Sequence, residues 1–223
     1  MKDGIPIMLG YLSVSFGFGI LAVSSGLSAW EAWLISATNL TSAGQVAGVG
    51  VMVAAGSYLE MILTQLVINL RYALMGLSLS QKLDDSFHTP QRLLASFGIT
   101  DEIFAVAYAR MGKVTPSYMF GLILTPFIGW TTGTLLGAVS GSLLPPALSD
   151  AMGIMLYGMF VAIIIPPART NRGVLTAILI AAGISVLFHY GLTMVSGGFA
   201  IIISAVAAAA IVAALCPIAE EED

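Results

Sequence analysis

Long apolar runs separated by short polar connections are the feature that most constrains the fold of this chain. A helix needs about 20 apolar residues to cross a bilayer, and runs of roughly that length occupy 4–27, 31–55, 57–79, 117–141, 148–166, 173–191 and 197–216. The chain is 58% hydrophobic and only 9% charged, whereas soluble domains carry about 25% charged residues. Lipid is the solvent that such a surface requires. We therefore predict an all-α, polytopic transmembrane bundle.

One further segment, 93–109, determines the number of helices. It is short, and it carries Asp101 and Glu102 at its centre. Each acid opposes membrane insertion by about 2.5–3.5 kcal/mol, whereas each good apolar residue favours insertion by only about 0.3–0.6 kcal/mol. The segment either spans the membrane with help from its neighbours or re-enters as a half-helix buried in protein. The sequence leaves both alternatives open, and we expect seven or eight helices.

The distribution of basic residues does not choose between these topologies, because cytoplasmic loops are enriched in lysine and arginine in both. If 93–109 spans, the N-terminus is inside, together with Arg110, Lys113, Arg169 and Arg172, while Lys82 and Arg92 are outside. If it re-enters, only Lys2 is outside. The net charge of −4 comes mainly from the acidic residues at 220–223. No basic surface for nucleic acid is predicted.

We treat the whole chain, 1–223, as a single membrane domain in which two related halves are conceivable. The segment 17–27 resembles 133–143 in its glycine, alanine and serine spacing. Chance similarity between helices rich in small residues is the alternative. If the similarity is real, the halves are 1–80 and 115–216. Repeats of this kind occur in transporters, where the substrate site lies between the halves near the midplane.

Polar residues crowd the middle of the run 31–55. Asn39, Ser42 and Gln45 lie there among further serines and threonines, and glycines follow at 44, 48 and 50. Glycine and neutral polar residues together favour a discontinuous helix, whose unwound backbone can bind a ligand. The alternative is an unbroken helix that packs closely through its small residues. On the first interpretation, Asn39, Ser42 and Gln45 are candidate substrate-binding residues.

Arg71 lies within the apolar run 57–79, close to Asn69. Arginine at the centre of a membrane helix costs roughly 3 kcal/mol on insertion scales, so it needs a partner or a water-filled cavity. The acids of 93–109 are candidate partners. Adjacent residues on a helix point about 100° apart, so Asp101 and Glu102 cannot both face Arg71. We predict that one neutralises Arg71, while the other binds a coupling proton or a substrate amine.

Structural roles compete with these functional ones. Asp101 or Glu102 can form a purely structural ion pair with Arg71, and Thr100 with Asp101 can cap a half-helix that starts at Glu102. Glu60 lies near a helix end, where we expect it to reach the membrane interface.

Enzyme signatures are missing from the sequence. It contains no His-Glu-x-x-His zinc motif, no Gly-x-Ser-x-Gly elbow and no phosphate-binding loop. We therefore expect neither an enzyme nor a cofactor or metal.

Several of these motifs recur together in one known family. They are Gly4-x-Pro6, Phe16-Gly17, the stretch 39–47 with Gln45, Asn69-Leu-Arg71-Tyr72 and Thr100-Asp101-Glu102. The chain resembles the AzlC family of branched-chain amino-acid permeases, the large subunit of a two-component exporter. The family pattern at Gln45 reads close to Phe-Ala-Gly-Ser-Ala-Gln, whereas this chain has Leu40-Thr-Ser-Ala-Gly-Gln45.

The resemblance implies export of branched-chain or other hydrophobic amino acids across the inner (plasma) membrane. It also implies a small hydrophobic partner subunit of the AzlD type. We expect a zwitterionic amino acid near the midplane. Arg71, or the backbone amides of 39–45, would bind its carboxylate, and Asp101 or Glu102 would bind its amine or a coupling proton. The alternative is a membrane scaffold or channel-like subunit whose polar residues only hold helices together.

Overall fold

The computed structural model describes residues 1–141, 146–192 and 194–215, and the acidic residues at 220–223 lie outside this range. The described residues form α-helices and no β-strand, which confirms the all-α prediction. The helices are α1 (Ile5–Ser24), α2 (Ala29–Thr38), α3 (Ser42–Val53), α4 (Tyr58–Ser80), α5 (Thr89–Phe97), α6 (Asp101–Ala109), α7 (Pro116–Ser140), α8 (Pro146–Thr170), α9 (Arg172–Tyr190) and α10 (Gly197–Leu215).

Five of these helices, α1, α4, α7, α9 and α10, are long and apolar enough to cross a membrane. Each coincides with one of the predicted apolar runs. The run 31–55 is divided into α2 and α3, and the segment 93–109 is divided between α5 and α6. The total of seven or eight spans and the re-entry of 93–109 stay predictions.

Local sequence signals set several helix ends. Ser28 precedes α2 and its hydroxyl accepts a bond from the backbone N–H of Glu31, while the Glu31 carboxylate accepts one from the backbone N–H of Ser28. This reciprocal pair satisfies two amides that the first turn leaves without helical partners. Asn171 serves α9 in the same way, accepting bonds from the N–H groups of Gly173 and Val174.

Contacts divide the chain into two compact units, one formed by 1–46 and 69–157 and the other by 47–68 and 158–223. The frame of the first unit is the packing of α1 along α7. A Cβ atom at Gly133 or Gly137 would collide with the backbone carbonyl of Leu12 or Phe16, respectively. Glycine is required there because the two backbones approach so closely. This packing fixes α7 against α1, and both helices contribute to the site.

The helix pair α5–α6 rests on the same frame. Ile103 and Ala107 of α6 are buried in a hydrophobic cluster with Met119 and Leu122 of α7. The connections on either side are joined, because the N–H of Val114 donates to the carbonyl of Lys82 over 2.9 Å. The start of α6 is thereby held in place beside α1 and α7.

The second unit contains α9, α10 and the segment 47–68. α10 packs on α9, and Gly48 approaches α4 so closely that a Cβ atom there would lie 3.2 Å from Gln65 Nε2. The exposed side chains of α9 include Leu179, Val186 and Leu187, each more than half exposed. Lipid covers such a face in a membrane protein.

Candidate functional site

The run 31–55 is a discontinuous helix, as its polar and glycine-rich sequence predicts. α2 ends at Thr38 and α3 begins at Ser42. Asn39 has extended backbone angles, φ −145° and ψ 98°, and its side-chain oxygen accepts a bond of 2.9 Å from the Thr41 hydroxyl. Because asparagine and threonine side chains bond locally, they offer the backbone an alternative to the helix. Asn39 and Ser42 therefore lie at the break between the two helices.

Gln45 belongs to a closed, neutral network that we call the Gln45 cluster: Ser36, Gln45, Trp130 and Thr134. The Gln45 carbonyl oxygen accepts a bond of 2.9 Å from Trp130 Nε1. Its amide nitrogen donates over 2.8 Å to Ser36 Oγ, which lies 2.7 Å from Thr134 Oγ1. All four side chains are 0–2% exposed. The cluster joins α2, α3 and α7 and stabilises the break between α2 and α3.

A second break separates α5 from α6 at 98–100. Thr100 is the N-cap of α6, and its hydroxyl accepts a bond of 3.4 Å from the Ile103 N–H. The predicted capping role of Thr100 is confirmed, although the helix begins at Asp101 rather than at Glu102. Both acids consequently lie in the first turn, where the partial positive charge of the helix end favours them.

The two acids diverge, as their spacing predicts. Asp101 is the partner of Arg71, since its Oδ2 lies 2.8 Å from Arg71 Nη1. Arg71 Nη2 also donates over 3.0 Å to the Tyr72 hydroxyl. We call Arg71, Tyr72, Asp101 and Glu102 the Arg71 cluster. The Arg71 and Asp101 side chains remain 36% and 31% exposed, so this ion pair is accessible.

Glu102 turns instead toward α1. Its Oε2 lies 2.5 Å from the hydroxyl oxygen of Tyr11, and that oxygen lies 2.7 Å from Thr100 Oγ1. Among the described residues, Glu102 forms no salt bridge with a basic side chain. The ring of Tyr11 packs edge-on against Trp130 with 5.2 Å between ring centroids. Tyr11 therefore contacts both clusters.

The remaining predicted site residue, Asn69, lies on α4 two positions before Arg71 and is half-buried. Of the predicted residues, Arg71, Asp101 and Glu102 lie in one cluster, and Gln45 lies in the other. Asn39 and Ser42 flank the α2–α3 break. In the part of the chain that the structure describes, no group of three or more His, Cys, Asp or Glu side chains could hold a metal ion.

Comparisons with known proteins agree with this membrane architecture. The AzlC protein family matches residues 6–144. The inner membrane protein YgaZ of Escherichia coli is 32% identical over 81% of this chain and 77% of its own length. The chain belongs to the AzlC family. It is a multi-pass protein of the cell membrane, as its apolar helices and its relatives both indicate.

Two further relatives share less sequence identity with this chain. An uncharacterized membrane protein of Archaeoglobus fulgidus is 29% identical over 82% of this chain and 80% of its own length. The branched-chain amino acid transport protein AzlC of Bacillus subtilis is 23% identical over 72% of this chain and 63% of its own length. No solved structure matches the chain.

The expectation for Glu60 in this AzlC-family chain is wrong. Glu60 does not reach the membrane interface, because it is only 4% exposed. Its Oε1 accepts bonds of 2.5 Å from the Ser196 hydroxyl and 2.9 Å from the Gly198 N–H. It thus caps the start of α10 from within the second unit. A position near a helix end does not by itself reveal this long-range contact.

Sequence reasoning also missed Tyr11 and Trp130, the residues that join the two clusters of the AzlC chain. Tyr11 lies 91 positions from Glu102, and Trp130 lies 85 from Gln45. A weak signal existed, since buried tyrosine and tryptophan usually direct their polar atoms toward a partner. The sequence alone did not identify those partners.

Proposed function

We propose that this protein exports branched-chain or other hydrophobic amino acids as the large subunit of an AzlC/AzlD-type exporter. The observation that carries the proposal is the accessible Arg71–Asp101 ion pair, which joins the middle of α4 to the break between α5 and α6. The name of the Bacillus subtilis relative supports the substrate class. About one-third of each side chain in this ion pair is exposed. A binding site requires such exposure, whereas a purely structural ion pair does not.

The geometry suggests how a zwitterion would be bound. Arg71 presents a planar guanidinium group that suits a carboxylate. An incoming substrate carboxylate would take the place of Asp101 on Arg71, and the released Asp101 or the nearby Glu102 would bind the substrate ammonium group. Charge is conserved in this exchange, so no isolated ion is left at membrane depth.

The α2–α3 break supplies a second set of groups. Ser42 begins α3, and the start of a helix offers free N–H groups and a partial positive charge to an anion. In our proposal, Asn39, Ser42 and the nearby backbone amides form the wall of the pathway, and Asn69 contributes from the face of α4 that carries Tyr72. Gln45 contributes by holding α2, α3 and α7 together.

The proposed partner is a small hydrophobic subunit of the AzlD type. Family membership supports this proposal. The many exposed leucines of α4, such as Leu66, Leu70 and Leu74, at 59–65% exposure, offer an apolar surface to lipid or to such a subunit.

Efflux of labelled leucine, isoleucine and valine from loaded cells tests the proposal. Cells that express this chain together with an AzlD-type subunit from the same genome should lose label faster than cells that express neither. Arg71→Leu should abolish the difference while the protein is still inserted at wild-type level. Lys113→Ala, which removes a surface cation, is the matched control and should transport normally.

Two results would overturn different parts of the proposal. Equal efflux with and without the wild-type protein, for every amino acid tested, rejects the transport function and favours the scaffold. Normal efflux by Arg71→Leu retains transport but rejects this site.

A further inference from the structure

We propose that Tyr11 is a positioning residue that links the protonation state of Glu102 to the break between α2 and α3. This inference rests on the proposed function for its physiological meaning. The link itself rests on the contacts of Tyr11 alone. Tyr11 is 8% exposed, its hydroxyl contacts the start of α6, and its ring contacts the Gln45 cluster.

The first step is a count of protons. The Tyr11 hydroxyl has one hydrogen but two close oxygen neighbours, Glu102 Oε2 at 2.5 Å and Thr100 Oγ1 at 2.7 Å. An ionised carboxylate can only accept, so Tyr11 must donate to Glu102. The contact with Thr100 Oγ1 also has Tyr11 as its donor, so the two oxygens compete for one hydrogen and Glu102 holds it while ionised.

Protonation of Glu102 removes this requirement. A neutral carboxyl group can donate its own hydrogen to the Tyr11 oxygen, and Tyr11 then donates to Thr100. Thr100 Oγ1 already accepts from the Ile103 N–H, so in this state the N-cap oxygen of α6 accepts a second bond. A change in the protonation of Glu102 therefore changes the hydrogen bonds of Tyr11 and of Thr100, the N-cap of α6.

The surroundings leave this role to Tyr11. The charge of Glu102 acts on Tyr11 from α1, on Tyr72 from α4 and on Asp101 of its own helix. Arg71, the remaining charged group of the cluster, bonds to Asp101 and Tyr72. The Tyr11 hydroxyl donates to the Glu102 carboxylate.

The ring of Tyr11 carries the link to the other break. Tyr11, Leu40 and Trp130 form one buried hydrophobic cluster, and Leu40 lies within the α2–α3 break. Trp130 meets the Tyr11 ring edge-on and donates to Gln45. Close-packed side chains transmit small displacements. A shift of Tyr11 therefore acts on the residues that hold the break.

Trp130 is a built-in reporter for the link. In a Trp30→Phe, Trp33→Phe background, Trp130 is the only tryptophan. Its fluorescence, measured on the full chain in lipid nanodiscs, should change as the pH is lowered. Glu102→Gln should abolish the pH-dependent change. Tyr11→Phe keeps the ring and removes the hydroxyl, and it should abolish the change as well.

Tyr118→Phe is the matched control. Tyr118 also donates to a carboxylate, Asp3 Oδ2, over 2.8 Å, but it contacts neither cluster. This variant should retain the pH-dependent signal. A wild-type signal that does not depend on pH, or one that persists in Tyr11→Phe, overturns the proposal. Neither measurement requires transport, so this failure is distinct from failure of the proposed function.

A transport assay then tests the same role in turnover. Tyr11→Phe should lower kcat for leucine efflux by about tenfold, since one hydrogen bond to a charged group is lost, with little change in KM. The pH profile of kcat should shift relative to wild type. A merely structural role would lower the amount of folded protein and scale the rate equally at every pH.

Discussion

The Gln45 cluster and the Arg71 cluster both lie beside a helix break, yet they are built in opposite ways. The Gln45 cluster is neutral and almost fully buried, and both ends of the Gln45 amide bond to protein. The Arg71 cluster is charged, and its ion pair is about one-third exposed. A buried network loses stability when any bond is broken, whereas an accessible ion pair can exchange one partner for a ligand. In our proposal, burial therefore separates the residues that stabilise a break from those that bind substrate.

The largest expected effect comes from the frame that the two clusters share. Gly137→Leu would push a side chain into the backbone of Phe16, and we expect a loss of about 3 kcal/mol of stability or more from overpacking. Thermal unfolding in detergent measures the loss. Gly10→Leu, on α1 but with open space at its Cβ position, is the control. Equal melting temperatures for the two variants would show that the clusters do not depend on this packing.

Gln45→Leu removes the central amide of the Gln45 cluster. It leaves the Trp130 N–H and the Ser36 hydroxyl without their amide partner, and a buried polar group left without a bond costs about 1–3 kcal/mol. We expect a fall in melting temperature, and Trp130→Phe combined with Gln45→Leu should recover part of it. Loss of substrate binding at an unchanged melting temperature would instead place Gln45 in the substrate site. The Gln45 cluster would then serve binding rather than stability.

Much of the Arg71 cluster could be predicted from the sequence. A charge within an apolar run requires a partner, and Asp101 and Glu102 were the nearest acids in a neighbouring segment. Their divergence follows from helix geometry. The α2–α3 break was predictable as well, because glycine, asparagine and serine weaken a helix locally.

The Gln45 cluster could not be predicted in the same way. Gln45 carried a signal, but its partners Trp130 and Thr134 are brought to it by the packing of α7. Glu60 was placed wrongly for the same reason, since its partners Ser196 and Gly198 are 136 and 138 positions away. Local sequence determines where helices start and stop, whereas these bonds depend on tertiary packing.

Exchanging the charges of Arg71 and Asp101 separates the structural role of the Arg71 cluster from its proposed binding role. Arg71→Asp combined with Asp101→Arg retains an ion pair between α4 and α6. We therefore expect a free energy of unfolding within about 1 kcal/mol of wild type. Transport should still be lost, because the guanidinium group has moved. Efflux of labelled leucine and thermal unfolding are measured on the same preparation. Recovery of transport by the exchanged pair would show that Arg71 serves only to hold the helices.

The smallest expected effect concerns an ion pair that lies outside both clusters. Lys113 Nζ lies 2.9 Å from Asp85 Oδ2, and their side chains are 53% and 94% exposed. The Asp85 carboxylate, through its hydrogen bond and its charge, raises the pKa of Lys113 above its ordinary value. The stabilisation is therefore present at neutral pH, below the unfolded-state pKa of lysine, and is lost as the pH rises through the folded-state pKa.

Because water screens so exposed a pair, Asp85→Asn should lower the melting temperature only slightly at neutral pH and should leave the efflux rate unchanged. Thermal unfolding at neutral and strongly alkaline pH checks this, and the small difference between wild type and variant should vanish at the alkaline end. A clear loss of stability from Asp85→Asn at neutral pH would mean that exposure does not predict which charged pairs matter in this protein. The inference that the accessible Arg71–Asp101 pair serves binding rather than stability would then lose its physical basis.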